Sequence, residues 1–516
     1  MTTSAPSPTA NRSFFGHPRG LGLLFLTEMW ERFSYYGLRP LLVLFMAAAL
    51  ADGGFGFERT QASAIVGIYA ACVYLASLPG GWIADRWLGL RRAILIGAAL
   101  ITSGHLAIGV SGVAGGRVGP IAFFLGLVLI VLGTGLLKPN ISAIVGDLYP
   151  EGGARRDAGF SIFYMGINTG AFVGQLVTGY LGEQVGWHWG FGAAGLGMAF
   201  GLLLFWRKGQ AVLGPIGADI VRDPDPAIQA ARTATVRNAT WGGLAILGLV
   251  FALAASGTLA LDPQAIGSGM TFVLVGLAVA FFAYLFAFGG LTTDEKKRSA
   301  VIFVLFVFAA IFWAAFEQAP TSLQLFANDF TERRIFGLEI PATWFQSVNS
   351  AFIILCSPLF AALWVGLAKR GIDLSSPTKF ALGLAFAGIG FQLMVVAANA
   401  VVASNGQTLV SPWWLIASYF FQTIGELCLS PVGLSSMTKL APRRYVGQMM
   451  GIWFLAASVG NLVAGLVGGH VDPTKLEQTP AVFSGTAMAL FAATAVLALL
   501  IVPIRRMMER SDTPTA

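Results

Sequence analysis

Long apolar stretches separated by short polar turns recur from residue 21 to residue 504. A helix needs about 20 mostly apolar residues to cross the hydrocarbon core of a bilayer. On that measure fourteen spans are predicted: 21–50, 62–84, 92–113, 119–146, 158–182, 187–206, 240–258, 268–290, 299–326, 342–366, 379–402, 411–438, 445–468 and 482–504. The one long polar interruption is 207–239, with Pro215, Asp219, Arg222, Asp223 and Asp225. Six spans precede it, and six begin at 299. Between them lie two, 240–258 and 268–290, with no ionisable residue inside. The pattern therefore predicts an all-α integral membrane protein of plan 6+2+6. Its parts are a tail 1–20, a six-helix bundle 21–206, a linker 207–239, an inserted hairpin with its linker 240–298, a second six-helix bundle 299–504, and a tail 505–516. Asp85-Arg86 with Arg91-Arg92 after the second span, and Lys369-Arg370 at the same place in the second half, fit two parallel repeats.

Composition agrees with the pattern. The chain of 516 residues is 56% hydrophobic and 11% charged, against about 25% charged in soluble domains. Its 64 glycines suit close helix packing in lipid. Cys72, Cys356 and Cys428 all fall inside apolar runs, which reads as packing and not as a disulfide or zinc framework. A net charge of +7 raises the question of nucleic acid, but its distribution answers it. With both termini on one side, 24 of the 32 Lys and Arg fall on that side, five on the other and three within spans. That bias is a topology signal placing both termini in the cytoplasm, and no nucleic-acid partner is expected.

The informative positions are the polar ones inside spans. The first span carries Glu28, Glu31, Arg32, Tyr36 and Arg39. A charge at the centre of a bilayer costs at least about 2.5 kcal/mol on insertion scales, so it is kept where it has a partner or a water-filled cavity. The span 119–146 has Lys138-Pro139-Asn140, and 158–182 has Tyr164 and Asn168 four apart on one face. Tyr74 lies in the second span. In the second half stand Trp313, Glu317, Gln318 and Pro320; Gln346, Ser347, Asn349 and Pro358; Glu426, Ser430 and Pro431; and Trp453. The prolines are expected to interrupt their helices where the backbone faces protein or a cavity. His188, between two tryptophans, belongs to an interfacial belt, and His105 is a lone packing histidine.

Seven ionisable side chains lie inside spans: Glu28, Glu31, Glu317 and Glu426 against Arg32, Arg39 and Lys138. The interior is one negative charge from neutral, and a single proton closes the gap. Carboxylates crowded in low dielectric hold a proton more readily than free ones. A zwitterionic solute would leave the balance unchanged, its carboxylate on the Arg39 and Lys138 side and its ammonium on a carboxylate. This is the physical content of a proton-coupled symporter, with an Arg39–Glu317 bridge gating the two halves. No metal-ligand cluster, nucleophile elbow or phosphate loop supports an enzyme.

Glu28-x-x-Glu31-Arg32-Phe-Ser-Tyr-Tyr36-Gly37 is similar to the first-helix signature of the proton-dependent oligopeptide transporters, within the major facilitator superfamily. Phe163-Tyr164…Asn168, Ala84-Asp85-Arg86, Glu317-Gln318 and Gly425-Glu426…Ser430-Pro431 resemble the same family. The resemblance implies proton-driven import of di- and tripeptides, with no cofactor beyond the coupling proton. It implies that Arg39 and Lys138 hold the peptide carboxylate and Glu426 its amino terminus. Tyr36, Asn168 and Asn349 would bind backbone and terminal groups, Tyr74, Tyr164, Trp313 and Trp453 would line side-chain pockets, and Ser430 would also belong to the substrate site. Glu28, Glu31 and Glu317 would carry or relay the proton, with Glu31 or Glu28 pairing with Arg32 or Lys138 in the proton-coupling set. The region 61–69 has no histidine, so the proton falls to carboxylates. A multi-pass protein of a bacterial inner membrane, working as a monomer, is expected. The other readings are a proton-coupled carrier of nitrate or another small anion, and a drug/proton antiporter of the same superfamily.

Overall fold

The computed structural model describes residues 12–112, 114, 116–220, 223–335, 337–372 and 374–509. The first eleven residues of the 1–20 tail, Arg222 of the linker and the end of the 505–516 tail lie outside the described residues. Fourteen helices of at least 22 residues make up the described chain. They are α1 (Arg19–Ala47), α2 (Arg59–Ile83), α3 (Leu90–Ser111), α4 (Val118–Asp147), α5 (Gly153–Tyr180), α6 (Trp187–Leu213), α7 (Pro226–Ser256), α8 (Pro263–Phe288) and α9 (Thr293–Phe316). A short α10 (Gln324–Asp329) follows, then α11 (Trp344–Lys369), α12 (Ser376–Ala403), α13 (Trp413–Leu440), α14 (Val446–Gly468) and α15 (Gln478–Glu509). Two small hairpins are also present, Arg12–Phe14 with His17–Pro18 and Arg334–Ile335 with Leu338–Glu339. Thirteen helical segments are long and apolar enough to cross a membrane. The fourteenth is α1, whose 29 residues suffice in length but hold Glu28, Glu31, Arg32 and Arg39.

Helix ends follow local chemistry more than hydropathy. The linker expected over 207–239 is mostly helix, because α6 runs on to Leu213 and α7 already starts at Pro226. Asp225 caps α7 by accepting the Ala227 amide at 2.8 Å, and Pro226 needs no donor at the first position. Asp262 and Pro263 start α8 in the same way, while Thr292 and Glu295 form a capping box at α9.

The prolines differ from expectation. Helices α4, α11 and α13 continue through Pro139, Pro358 and Pro431. In α4, Asn140 donates to Leu136 O at 2.6 Å and Ser142 to Lys138 O at 3.3 Å, while the carbonyl that Pro139 leaves without its helical donor is that of Gly135. Only at Pro320 does a proline accompany a break among these, with α9 giving way to a wide turn, Ala319–Leu323, before α10.

The chain divides into two compact units. One comprises Met1–Leu38 and Ala76–Leu261, the other Arg39–Leu75 and Asp262–Ala516. In the first unit α3 packs along α4 and α6, and α1 docks on α5 through a stripe of glycines. A Cβ on Gly166 would meet the Phe25 ring, on Gly170 the Met29 carbonyl, and on Gly174 the Phe33 carbonyl. Small residues every fourth position thus let the two backbones touch. In the second unit α12 lies against α13 and α15, while α14 packs against α9 and α8.

Candidate functional site

Each unit holds its own cluster of buried polar groups. In the first, the α5 glycine stripe fixes α1, and the helical repeat carries Glu28 and Arg32 onto one side of it. Arg32 Nε donates to Glu28 Oε1 at 2.9 Å and lies 2.5 Å from Glu31 Oε2. All three are buried, Glu31 completely. Lys138 and Thr134 of α4 lie close enough to Glu31 to act on it electrostatically. Two carboxylates against one guanidinium leave one negative charge, which Lys138 balances. Breaking such a buried set by removing one member costs about 3–5 kcal/mol, because the remaining charge is stranded. The Arg32 guanidinium also sits 5.5 Å from the Tyr35 ring centre.

Around this cluster Tyr36 and Lys138 are half-buried. Asn168 is buried and donates to the Tyr164 carbonyl at 3.0 Å, while the Tyr164 side chain is exposed. The four-residue spacing therefore places the two at different depths, not as one paired surface.

In the second unit the end of α1 presents Arg39. Its Nη2 donates to Glu317 Oε2 in a short ion pair and to Asn461 Oδ1 of α14 at 2.9 Å. All three side chains are buried. Glu317 is the residue at which α9 ends. The break is held in place by Gln318, whose Nε2 donates to Thr486 Oγ1 of α15 at 2.9 Å and whose Oε1 accepts from Ser322 at 2.8 Å. The proline break and these two hydrogen bonds aim Glu317 at Arg39.

Glu426 of α13 is half-buried. It accepts a long hydrogen bond from Asn349 Nδ2 of α11, 3.4 Å, and feels the charge of Glu317. Asn349 is anchored by its 2.9 Å bond to Thr423. Trp313 packs edge-on against Phe312 and Phe316, each 5.5 Å away. Trp453 is buried with its ring against Gly433, and a Cβ there would overlap it. Tyr74 and Ser430 are half-buried. The second unit thus brings together Arg39, Glu317, Asn349 and Glu426, and the first Glu28, Glu31, Arg32 and Lys138.

Sequence reasoning passed over three features. Asn461 is a mid-span amide among small residues, Ser458-Val-Gly460-Asn461, and its polarity inside an apolar run was the available signal. Gln318 was noted only as a neighbour of Glu317. Arg59, counted as a loop cation, pairs with Asp329 at the end of α10 and donates to Val471 O at 3.2 Å. Beside this outer cluster, burial pushes the Asp472 carboxyl up, but the Thr474 amide and hydroxyl, with Arg59 and Lys475, hold it below its ordinary value.

A multi-pass membrane protein that buries paired charges in its helices has the build of a carrier of polar solutes. Residues 91–217 and 247–482 match the POT family. The chain belongs to that family, whose members are transporters and not enzymes. It is 49% identical over 512 residues to the peptide transporter YePEPT of Yersinia enterocolitica, covering 99% of both chains. It is 31% identical to dipeptide and tripeptide permease A of Escherichia coli strain K12, covering 99% of this chain and 98% of the other. A crystal structure of a peptide transporter POT with sulfate superposes with a TM-score of 0.87 at 40% identity, over 97% of this chain and 98% of that one. A mutant of a peptide transporter POT in complex with alafosfalin gives 0.86 at 40% identity, over 96% and 97%. The fourteen-helix fold of major facilitator type expected from the sequence is the fold shared with these transporters.

Proposed function

We propose that this protein is a proton-coupled symporter that imports di- and tripeptides by alternating access. The observation that supports the reading is the buried Arg39–Glu317 pair, a guanidinium and a carboxylate held together inside the helices. The names of the relatives, peptide transporter and dipeptide and tripeptide permease, support the substrate class. In this account Arg39 and Lys138 take the peptide carboxylate and Glu426 its ammonium. Tyr36, Asn168, Asn349 and Ser430 bind backbone and terminal groups. Tyr74, Tyr164, Trp313 and Trp453 tolerate varied side chains. Glu28, Glu31 and Arg32 hold the second proton-sensitive set. Protonating Glu317 releases Arg39 to the arriving carboxylate, and the pair re-forms when proton and peptide have left.

The half-buried Glu426 beside Asn349 favours a peptide over nitrate or another small anion, because an anion gains nothing from a neighbouring carboxylate. Arg39 and Lys138 likewise disfavour the lipophilic cation that a drug/proton antiporter would carry. The organisation proposed along the chain is a six-helix bundle 21–206, a linker 207–239, the hairpin part 240–298 and a six-helix bundle 299–504, with both termini cytoplasmic. A monomer in a bacterial inner membrane suffices for the cycle.

The test is uptake of labelled dialanine into proteoliposomes, competed in turn by unlabelled dipeptides, tripeptides, free amino acids and nitrate. Competition by di- and tripeptides alone is expected. Competition by nitrate and not by peptides would overturn the assignment.

A further inference from the structure

We propose that Asn461 of α14 is a positioning residue for proton coupling: it holds the Arg39 guanidinium in place when Glu317 loses its charge. The inference rests on the coupling role proposed for Glu317 and adds a partner to it.

The geometry is specific. Asn461 Nδ2 is committed to the carbonyl of Ala457, one turn back, at 2.9 Å, and this turns Oδ1 toward Arg39 Nη2, also at 2.9 Å. The side chain is almost completely buried, so water does not compete for that oxygen. Its approach depends on the preceding glycine. A Cβ on Gly460 would overlap the Trp313 Cβ of α9, and the Trp313 backbone carbon lies only 2.7 Å from where it would stand. On another face of α14, Gly465 meets Gly67 of α2, and Ser458 donates to the Ala71 carbonyl at 3.3 Å. Helix α14 is thereby wedged between α9 and α2 of the same unit, with Asn461 presented to the ion pair.

The chemistry explains why an amide belongs there. While Glu317 is ionised, Arg39 has a charged partner and a neutral one. When a proton reaches Glu317, the charged partner goes and the amide stays, so the buried guanidinium keeps this bond. An amide does not titrate, so Asn461 gives the same bond in both states, and only the proton on Glu317 differs. Within α14 no residue is ionisable. Of the titratable groups on packed elements, Glu426 on α13 faces the pair and acts electrostatically on Glu317.

Two substitutions separate this role from simple packing. With Asn461→Ala, a proton on Glu317 removes the charged partner where the amide bond is already gone, so loading it needs a higher proton concentration. The pH giving half-maximal proton-driven dipeptide uptake should move down by at least about one unit, tenfold in proton concentration. Asn461→Asp keeps the shape but gives Arg39 a second carboxylate when Glu317 is protonated, and acid stimulation of uptake should fall at least about tenfold. Should the alanine variant fail to fold, the near-isosteric aspartate variant carries the test. Wild-type pH profiles in both variants, with Glu317→Gln having lost acid stimulation, would overturn the role of Asn461 while leaving that of Glu317 standing. Undiminished acid stimulation in Glu317→Gln would instead remove the coupling role on which the inference rests.

Discussion

Replacing Glu426 with glutamine removes one negative charge and almost no volume. Asn349 keeps its 2.9 Å bond to Thr423, so the amide beside position 426 does not collapse into the gap. The Asn349–Glu426 bond, at 3.4 Å, is too long to contribute much to the site's stability. What Glu426→Gln chiefly loses is therefore its attraction for a positive group on the substrate. A hydrogen bond to a charged partner contributes about 1.5–3 kcal/mol, and about 1.4 kcal/mol is a factor of ten. Glu426 is half-buried, so solvent screens part of that and the lower end applies. Apparent affinity for a dipeptide should fall about ten- to thirtyfold. Affinity for an analogue lacking the amino group, which cannot use the carboxylate, should change by less than about twofold. The assay is inhibition of labelled dialanine uptake by alanylalanine and by propionylalanine in matched wild-type and variant proteoliposomes. Equal losses for the two competitors would refute the pairing of Glu426 with the peptide amine.

Three further outcomes follow from the same geometry. Glu31→Gln should abolish accumulation driven by an acid gradient while counterflow between peptide pools persists; normal accumulation would remove Glu31 from the coupling path. Arg39→Ala strands Glu317 in a buried site and should cost about 3–5 kcal/mol of stability, read as a lowered melting midpoint in detergent, and adding Glu317→Gln should restore much of it. Gly170→Leu places a side chain against the Met29 carbonyl and should cost at least about 1–3 kcal/mol by forcing α1 from α5, whereas Gly192→Ala, with open space around it, should be nearly neutral.

Much of the architecture was legible because membrane helices announce themselves by hydropathy, and fourteen spans correspond to fourteen long helices. The charged first span was legible for the opposite reason: Glu28, Glu31 and Arg32 are too costly in lipid to be left unpaired, and the pairs Arg32 makes with both carboxylates bear this out. Arg39 against Glu317 was expected from charge balance across 278 residues of sequence separation.

What escaped was local backbone chemistry and neutral polar groups. Asp225 and Pro226 begin a helix inside a stretch that hydropathy reads as linker. Pro139, Pro358 and Pro431 look like breaks in a one-dimensional reading, but their helices continue. Asn461 carries no charge, so the balance of the interior did not call for it. Its importance appears only when α14 is seen against α9. Spacing alone also could not separate the buried Asn168 from the exposed Tyr164.

The central claim is that a proton and a peptide move together through the chain. It is tested most directly by proteoliposomes loaded and bathed with equal labelled dialanine, to which an inward acid gradient is then applied. The account predicts that internal dialanine rises above the external concentration and falls back when a protonophore collapses the gradient. If the internal concentration stays equal to the external one while the gradient persists, in protein that still exchanges dialanine, the peptide is not driven by protons.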